Sequence, residues 1–330
     1  KHIVTANKDV IAEHGAELLK LAKDQGCDLF YEASVGGGIP IIRSLKDGFA
    51  SDKITKMMGI VNGTTNYILT KMSQEGMSYE MALAKAQALG FAEPDPTSDV
   101  EGLDAARKIL ILAKLGFSMN LELADVYTVG ISGVTSEDIE YTKQLGFTLK
   151  LIGLASRENG AVEVSVQPTL LPNAHPLASV HNEYNAVYVC GEAVGETMFY
   201  GPGAGGLPTA TSIVSDIVAV VKNMRLGVNG AGIATLYNPK SIKRDVDMFS
   251  KFFMRIKVQD QPGVFLKLAS IFYDNQLSLE SILQKPCIDG AEVIIITHLV
   301  SLENFVRSLY ALNQLDVVIG VKSCYRVVEM

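Results

Sequence analysis

Two prolines separated by one residue, Pro94 and Pro96, set the geometry of residues 90–108, GFAEPDPTSDVEGLDAARK. Proline fixes φ, lacks an N–H and pushes the residue before it into extended backbone. The acidic run that carries Glu93, Asp95 and Asp99 is therefore irregular. From residue 101 to about 116 apolar positions recur at helical spacing. Ser98 or Asp99 is expected to cap that helix, with Glu101 in its first turn. The outcome is a carboxylate-bearing loop held against a helix.

On that helix Asp104 and Lys108 stand at i and i+4 and project from one face. Leu103, Ala106, Leu110, Ala113 and Phe117 form a broad apolar stripe, so most of the helix is buried. A desolvated lysine exchanges its proton nearer neutrality, and clustered carboxylates grip an ammonium group. Arg107 and Lys114 are neighbours of Lys108 on the wheel. The same spacing therefore also describes a solvated arc with an ordinary ion pair.

The 330 residues suffice for two or three domains and a sizeable core. Net charge is −7 and no Lys/Arg cluster forms a footprint for nucleic acid or an anionic membrane. Mean hydropathy is +0.22, yet charges interrupt each apolar run well before the ~18 residues of a membrane span. The four cysteines, Cys27, Cys190, Cys287 and Cys324, have no metal-binding spacing. They read as free thiols of a reducing cytoplasm.

Residues 1–33 read strand, helix, strand, as in the tail of a doubly wound nucleotide-binding domain. No G-x-G-x-x-G follows a strand near the start, so roughly a hundred preceding residues are expected to belong to that domain. The VGGGIP run offers backbone carbonyls that, with Glu32, suit a hard monovalent cation, but from the residues alone a plain strand-to-helix turn is the preferred reading. Asn62, Thr64 and Thr65 open a helix as caps or as donors to a polar ligand. Beyond residue 124, VSVQPTLL, NAVYVCG and ETMFYG read as strands of a mixed sheet. His175 and His181 lie between strands and read as surface loop residues. GPGAGG then leads into an apolar helix at about 207–225, whose N-terminus suits a phosphate or a nicotinamide. Residues 236–251 read as a linker. After it, strands and helices in the order βαββαβ make a ferredoxin-like unit. Its first turn, DQPGVF, sets Asp260, Pro262 and Gly263 at a helix N-terminus, suited to an amino-acid carboxylate or merely to capping.

EPDPTSDVEGLDAARK followed by ILILAKLG resembles the central signature of homoserine dehydrogenases. VTANK, YEASVGGGIPII, GIVNGTTNYIL and GPGAGGLPTA resemble the family's other blocks, in order, across residues 1 to about 235. The C-terminal unit is similar to an ACT domain, a small-molecule sensor. The resemblance implies a division into 1–33, the end of the dinucleotide domain; 34–235, a catalytic and dimerisation domain; and 252–330, the ACT-like domain. It implies NAD(P)-dependent interconversion of L-aspartate 4-semialdehyde and L-homoserine, on the route to threonine and methionine. Lys108 would be the proton donor, with Lys8 near nicotinamide and substrate and sharing that role. Glu93 and Asp104 would bind substrate, supported by Asp99, while Lys8, Gly90 and Gly203 would contact NADP or NAD. Glu32, Val35, Gly37 and Ile39 match positions that hold a structural sodium ion. An amino-acid effector at the ACT-like domain and a homodimer or larger homo-oligomer complete the expectation. Lys8, near the start of the chain, is expected to be loosely held. Two competing readings are a dimeric amino-acid-binding fragment without turnover, and another dehydrogenase or kinase subunit with an ACT tail.

Overall fold

A computed structural model describes residues 1–329. The chain opens with a strand–helix–strand unit: β1 (Ile3–Val4), α1 (Lys8–Asp24) and β2 (Leu29–Phe30). β1 and β2 pair in parallel. Asn7 starts α1 by accepting a hydrogen bond from the Val10 amide at 3.1 Å, which makes Lys8 the first helical residue. Lys8 is thus fixed in a helix rather than loosely held.

A short α2 (Ile41–Arg43) leads to β3 (Ile54–Ile60), α3 (Gly63–Glu75), α4 (Tyr79–Ala88), α5 (Thr97–Val100) and α6 (Leu103–Phe117). Next come β4 (Val126–Thr128), α7 (Ser136–Gln144), β5 (Phe147–Glu158), β6 (Ala161–Pro172), β7 (Tyr184–Gly191), β8 (Gly195–Pro202) and α8 (Gly206–Leu226). The last part holds β9 (Phe249–Val258), α9 (Val264–Asp274), β10 (Leu279–Cys287), β11 (Gly290–Thr297), β12 (Val300–Ser301), α10 (Leu302–Asn313) and β13 (Val318–Val327).

Residues 236–248 carry no long element, but they are strapped to the preceding domain. Asn238 donates from its backbone to Ser118 at 2.9 Å, and Lys243 to Val162 at 2.8 Å. Strand β9 begins at Phe249, inside the segment expected to be linker.

One mixed sheet runs β10-β11-β9-β13-β6-β5-β3-β7-β8, with β4 on β6 and β12 on β9. The C-terminal βαββαβ unit joins it through a short parallel pairing of β13 with β6, Arg326 opposite Thr169 and Val327 opposite Leu170. α6 packs against this sheet with Ile109, Leu110, Leu112 and Ala113 fully buried. Burying such a helix stripe supplies most of its stability, since apolar burial contributes roughly 25 cal/mol per Å². Among the described residues no helix is long and apolar enough to cross a membrane, and the four cysteines are free.

Candidate active site

The N-termini of α3 and α6 converge through one amide side chain. Asn62 caps α3, its Oδ1 accepting from the Thr65 amide at 2.9 Å. Its Nδ2 donates to Asp99 Oδ1 at 2.7 Å and to Asp104 Oδ2 at 2.9 Å. Thr64 Oγ1 lies 2.9 Å from Asp99 Oδ2 and 2.6 Å from the Phe91 carbonyl. The two acids are therefore tied to the GTT turn and to the loop after α4.

Asp99 does not cap the long helix, and neither does Ser98. α6 begins at Leu103, and its N-cap is Gly102 in the left-handed region at φ +79°. The chain must reverse between α5 and α6, and a Cβ at Gly102 would press on Val166 and Thr128 at 3.2 and 3.3 Å. Asp99 is left free to face Asn62.

Lys108 Nζ donates to Asp104 Oδ2 at 2.7 Å and to the Val61 carbonyl at 2.9 Å. Its side chain is only 15% exposed. Lys8, arriving from α1, stands 3.4 Å from Asp104 Oδ1. Two amines thus flank one buried carboxylate. Burial favours protonating Asp104, but Lys108, Asn62 and Lys8 outweigh it and hold the carboxyl below its ordinary value. The neighbouring arc is not a solvated face. Arg107 pairs with Asp9 on α1 at 2.7 Å, and Lys114 is buried, donating to the Ala12 carbonyl at 2.6 Å.

Glu93 is not drawn into this cluster. It is exposed, and only its backbone is held, by Gln87 Nε2 at 3.1 Å. Gly90 ends α4 in a left-handed turn at φ +77°, with open space where a Cβ would be.

The glycine-rich loop before α8 lies on the VGGGIP turn, a meeting that sequence spacing did not predict. A Cβ at Gly37, itself at φ +52°, would stand 2.5 Å from the Gly203 carbonyl. A Cβ at Gly203 would overlap the Asn185 amide at 2.1 Å. Asn185 Oδ1 is buried without a hydrogen-bond partner. A buried, unpartnered amide oxygen beneath a backbone that tolerates no side chain could accept from the carboxamide of a nicotinamide.

The Glu32 carboxylate is engaged by the backbone at both oxygens. It accepts from the Ile42 and Arg43 amides at 2.8 and 2.9 Å. Burial raises its pKa, with those amides opposing. The other oxygens near Val35 are backbone carbonyls, and those of Gly37 and Ile39 each accept a hydrogen bond, from Ser212 Oγ and the Ile41 amide. Such a set fits a weakly held monovalent ion at most.

His175 is buried rather than exposed, and its Nδ1 accepts from the Leu177 amide at 3.1 Å. In the C-terminal unit Asp260, Pro262 and Gly263 are exposed. Gly263 starts α9 at φ +86° without a side-chain cap. A cavity of about 110 Å³ opens beside it, lined by Gln259, Asp260, Gly263, Gln284 and Val293 among others.

Residues 40–218 match the family model described as homoserine dehydrogenase. A Bacillus subtilis (strain 168) protein named homoserine dehydrogenase is 60% identical over 331 residues, covering 99% of this chain and 76% of that protein. The chain belongs to the homoserine dehydrogenase family. The crystal structure of a homoserine dehydrogenase from Thiobacillus denitrificans superposes with a TM-score of 0.94 at 35% identity, over 100% of this chain and 77% of that one. A hyperthermophilic archaeal homoserine dehydrogenase in complex with NADPH aligns with a TM-score of 0.60 at 32% identity, over 67% of this chain and 64% of that one. Residues 253–316 match the ACT domain model. The chain is thus an oxidoreductase of the homoserine dehydrogenase family with a C-terminal ACT domain, and the reading as a fragment without turnover is not favoured.

Proposed function

We propose that this homoserine dehydrogenase reduces L-aspartate 4-semialdehyde to L-homoserine, and the reverse, with NADPH or NADH, on the route to threonine and methionine. The observation that carries the reading is the Lys108 amine, 2.7 Å from a buried carboxylate and largely shielded from water. When bound, the reduced nicotinamide supplies the hydride. Lys108 gives a proton from Nζ to the aldehyde oxygen as negative charge develops there, and takes it back from the hydroxyl in the reverse direction. Asp104 orients that amine and, with Lys8, sets the local charge. Lys8, 3.4 Å from Asp104, would steady substrate and coenzyme. The substrate's α-ammonium group needs carboxylates, which Asp104 and Glu93 would supply, with Asp99 bracing Asn62 and Thr64. Gly90, Gly203 and Lys8 would hold the coenzyme. Backbone carbonyls of Glu32, Val35, Gly37 and Ile39 would hold a sodium ion, which takes no part in the chemistry.

An amino-acid effector would enter at Asp260, Pro262 and Gly263, its carboxylate at the uncapped start of α9. Assembly is proposed as a homodimer or larger homo-oligomer; Tyr200 and Met198 on the terminal strand β8, with Tyr184 stacked on Tyr200 at 5.3 Å, leave apolar surface for it. The test is steady-state oxidation of L-homoserine by the enzyme and by Glu93→Gln. Loss of one charge-assisted contact predicts a homoserine KM raised about tenfold. An unchanged KM would remove Glu93 from the site.

A further inference from the structure

Lys150 lies on β5, and its side chain is buried, with 2% of the residue exposed. Among the described residues no carboxylate pairs with it. Its Nζ donates to Asn66 Oδ1 at 2.9 Å and to the Val180 carbonyl at 2.6 Å. Burial pushes its amine down to about 7. A neutral amine has two N–H donors, which matches these two acceptors. An unpaired buried cation is costly, and an apolar side chain of similar volume would stabilise the fold more. The two acceptors therefore say what the amine is for.

Asn66 sits one helical turn after Asn62, the residue that grips Asp99 and Asp104. Its Nδ2 donates to the carbonyls of Val180, Asn182 and Tyr184 at 3.2, 2.8 and 3.1 Å. Asn182 adopts φ +55°, and its amide donates to Thr70 Oγ1 at 3.1 Å. At Gly63, the first residue of α3, a Cβ would be 2.7 Å from the Glu183 carbonyl. Residues 180–184 thus press on the start of α3. They run directly into Asn185, whose amide lies against Gly203.

We propose that Lys150 is a positioning residue of the reaction: through Asn66 it locks residues 180–184 against α3 and so sets both the Asn62–Asp104–Lys108 cluster and the Asn185–Gly203 contact. The inference rests on the reading of those two clusters as substrate and coenzyme seats. A strand lysine that touches no ligand would thereby hold the two halves of the site in register, where small displacements are expensive in rate.

The test is Lys150→Met, which keeps the stem and removes the donors. The expected result is a melting temperature equal to or above wild type, a fall of about tenfold or more in kcat/KM for homoserine, and a weaker NADPH Kd in a titration of NADPH fluorescence. Lys150→Gln, which restores two N–H donors without charge, is expected to recover part of both losses, and it answers the same question should the Met variant fail to fold. Unchanged kcat/KM and Kd in the variant would overturn the proposal. So would a lower melting temperature with full activity below it, the mark of a purely structural lysine. Should the wild type itself not oxidise homoserine, the reading of the site fails instead.

Discussion

The Asp104 carboxylate is the residue on which the site turns, because it faces Lys108, Lys8 and Asn62 at once. Asp104 and Lys108 were legible from i,i+4 spacing, and the family blocks supplied Lys8. Asn62 was legible as a cap or a donor to a polar ligand, but not as a bridge to Asp99 and Asp104, because those acids come from a distant part of the chain. Glu93 was legible as a carboxylate but not as a distant one. Lys150 was not legible at all: within FTLKLIGLAS a lysine reads as an outward position, and its burial follows from β5 lying inside the sheet. It also makes stability depend on pH. The unfolded amine titrates at its ordinary value of 10.5 and the folded one at about 7. Between those values the unfolded chain binds a proton that the folded chain does not, so stability rises as pH climbs from about 7 towards 10.5. The penalty is fully present below that window. Denaturant melts at pH 7 and 9.5 are expected to separate by on the order of a few kcal/mol, and Lys150→Met to lose most of that slope. A wild type with no slope would mean the amine is solvated.

At the level of elements, α7 was missed because SEDIEYTKQ is mostly polar and shows no stripe. Its side chains are instead polar links. Asp138, fully buried, accepts from Arg255 Nε at 2.8 Å and the Tyr325 hydroxyl at 2.8 Å, both from the ACT strands. Tyr141 donates to Glu292 at 2.7 Å. Lys143 reaches back to the Ser73 carbonyl on α3. β5 was missed for the opposite reason: buried on both faces, it has no polar alternation. The strands of the last domain were readable because turns bounded each one. Removing Asp138 leaves Arg255 buried with one partner fewer, so Asp138→Ala is expected to destabilise the protein by about 3–5 kcal/mol in equilibrium denaturation. A loss below about 1 kcal/mol, the worth of an exposed pair, would mean that the link carries no weight.

Across the whole molecule, β13 joins the ACT domain to the catalytic sheet beside the buried Asp138–Arg255 pair. The sheet that carries the ACT domain is continuous with β3, the strand that delivers Val61 to Lys108, so the effector proposed at the start of α9 would act through it. Calorimetric titration with L-threonine is expected to give binding that Gly263→Ala weakens, since alanine is strained at φ +86°. Equal binding by both proteins would move the effector elsewhere. The sequence order βαββαβ made this domain readable, whereas its docking through a two-residue strand pairing was not, because so short a register has no pattern of its own.

The most direct measurement is kcat for L-homoserine in Lys108→Met under saturating coenzyme, beside the NADPH Kd of the same protein. A proton donor at Nζ predicts a kcat lower by about 10²–10⁴-fold with Kd nearly unchanged. A kcat at the wild-type level would contradict it.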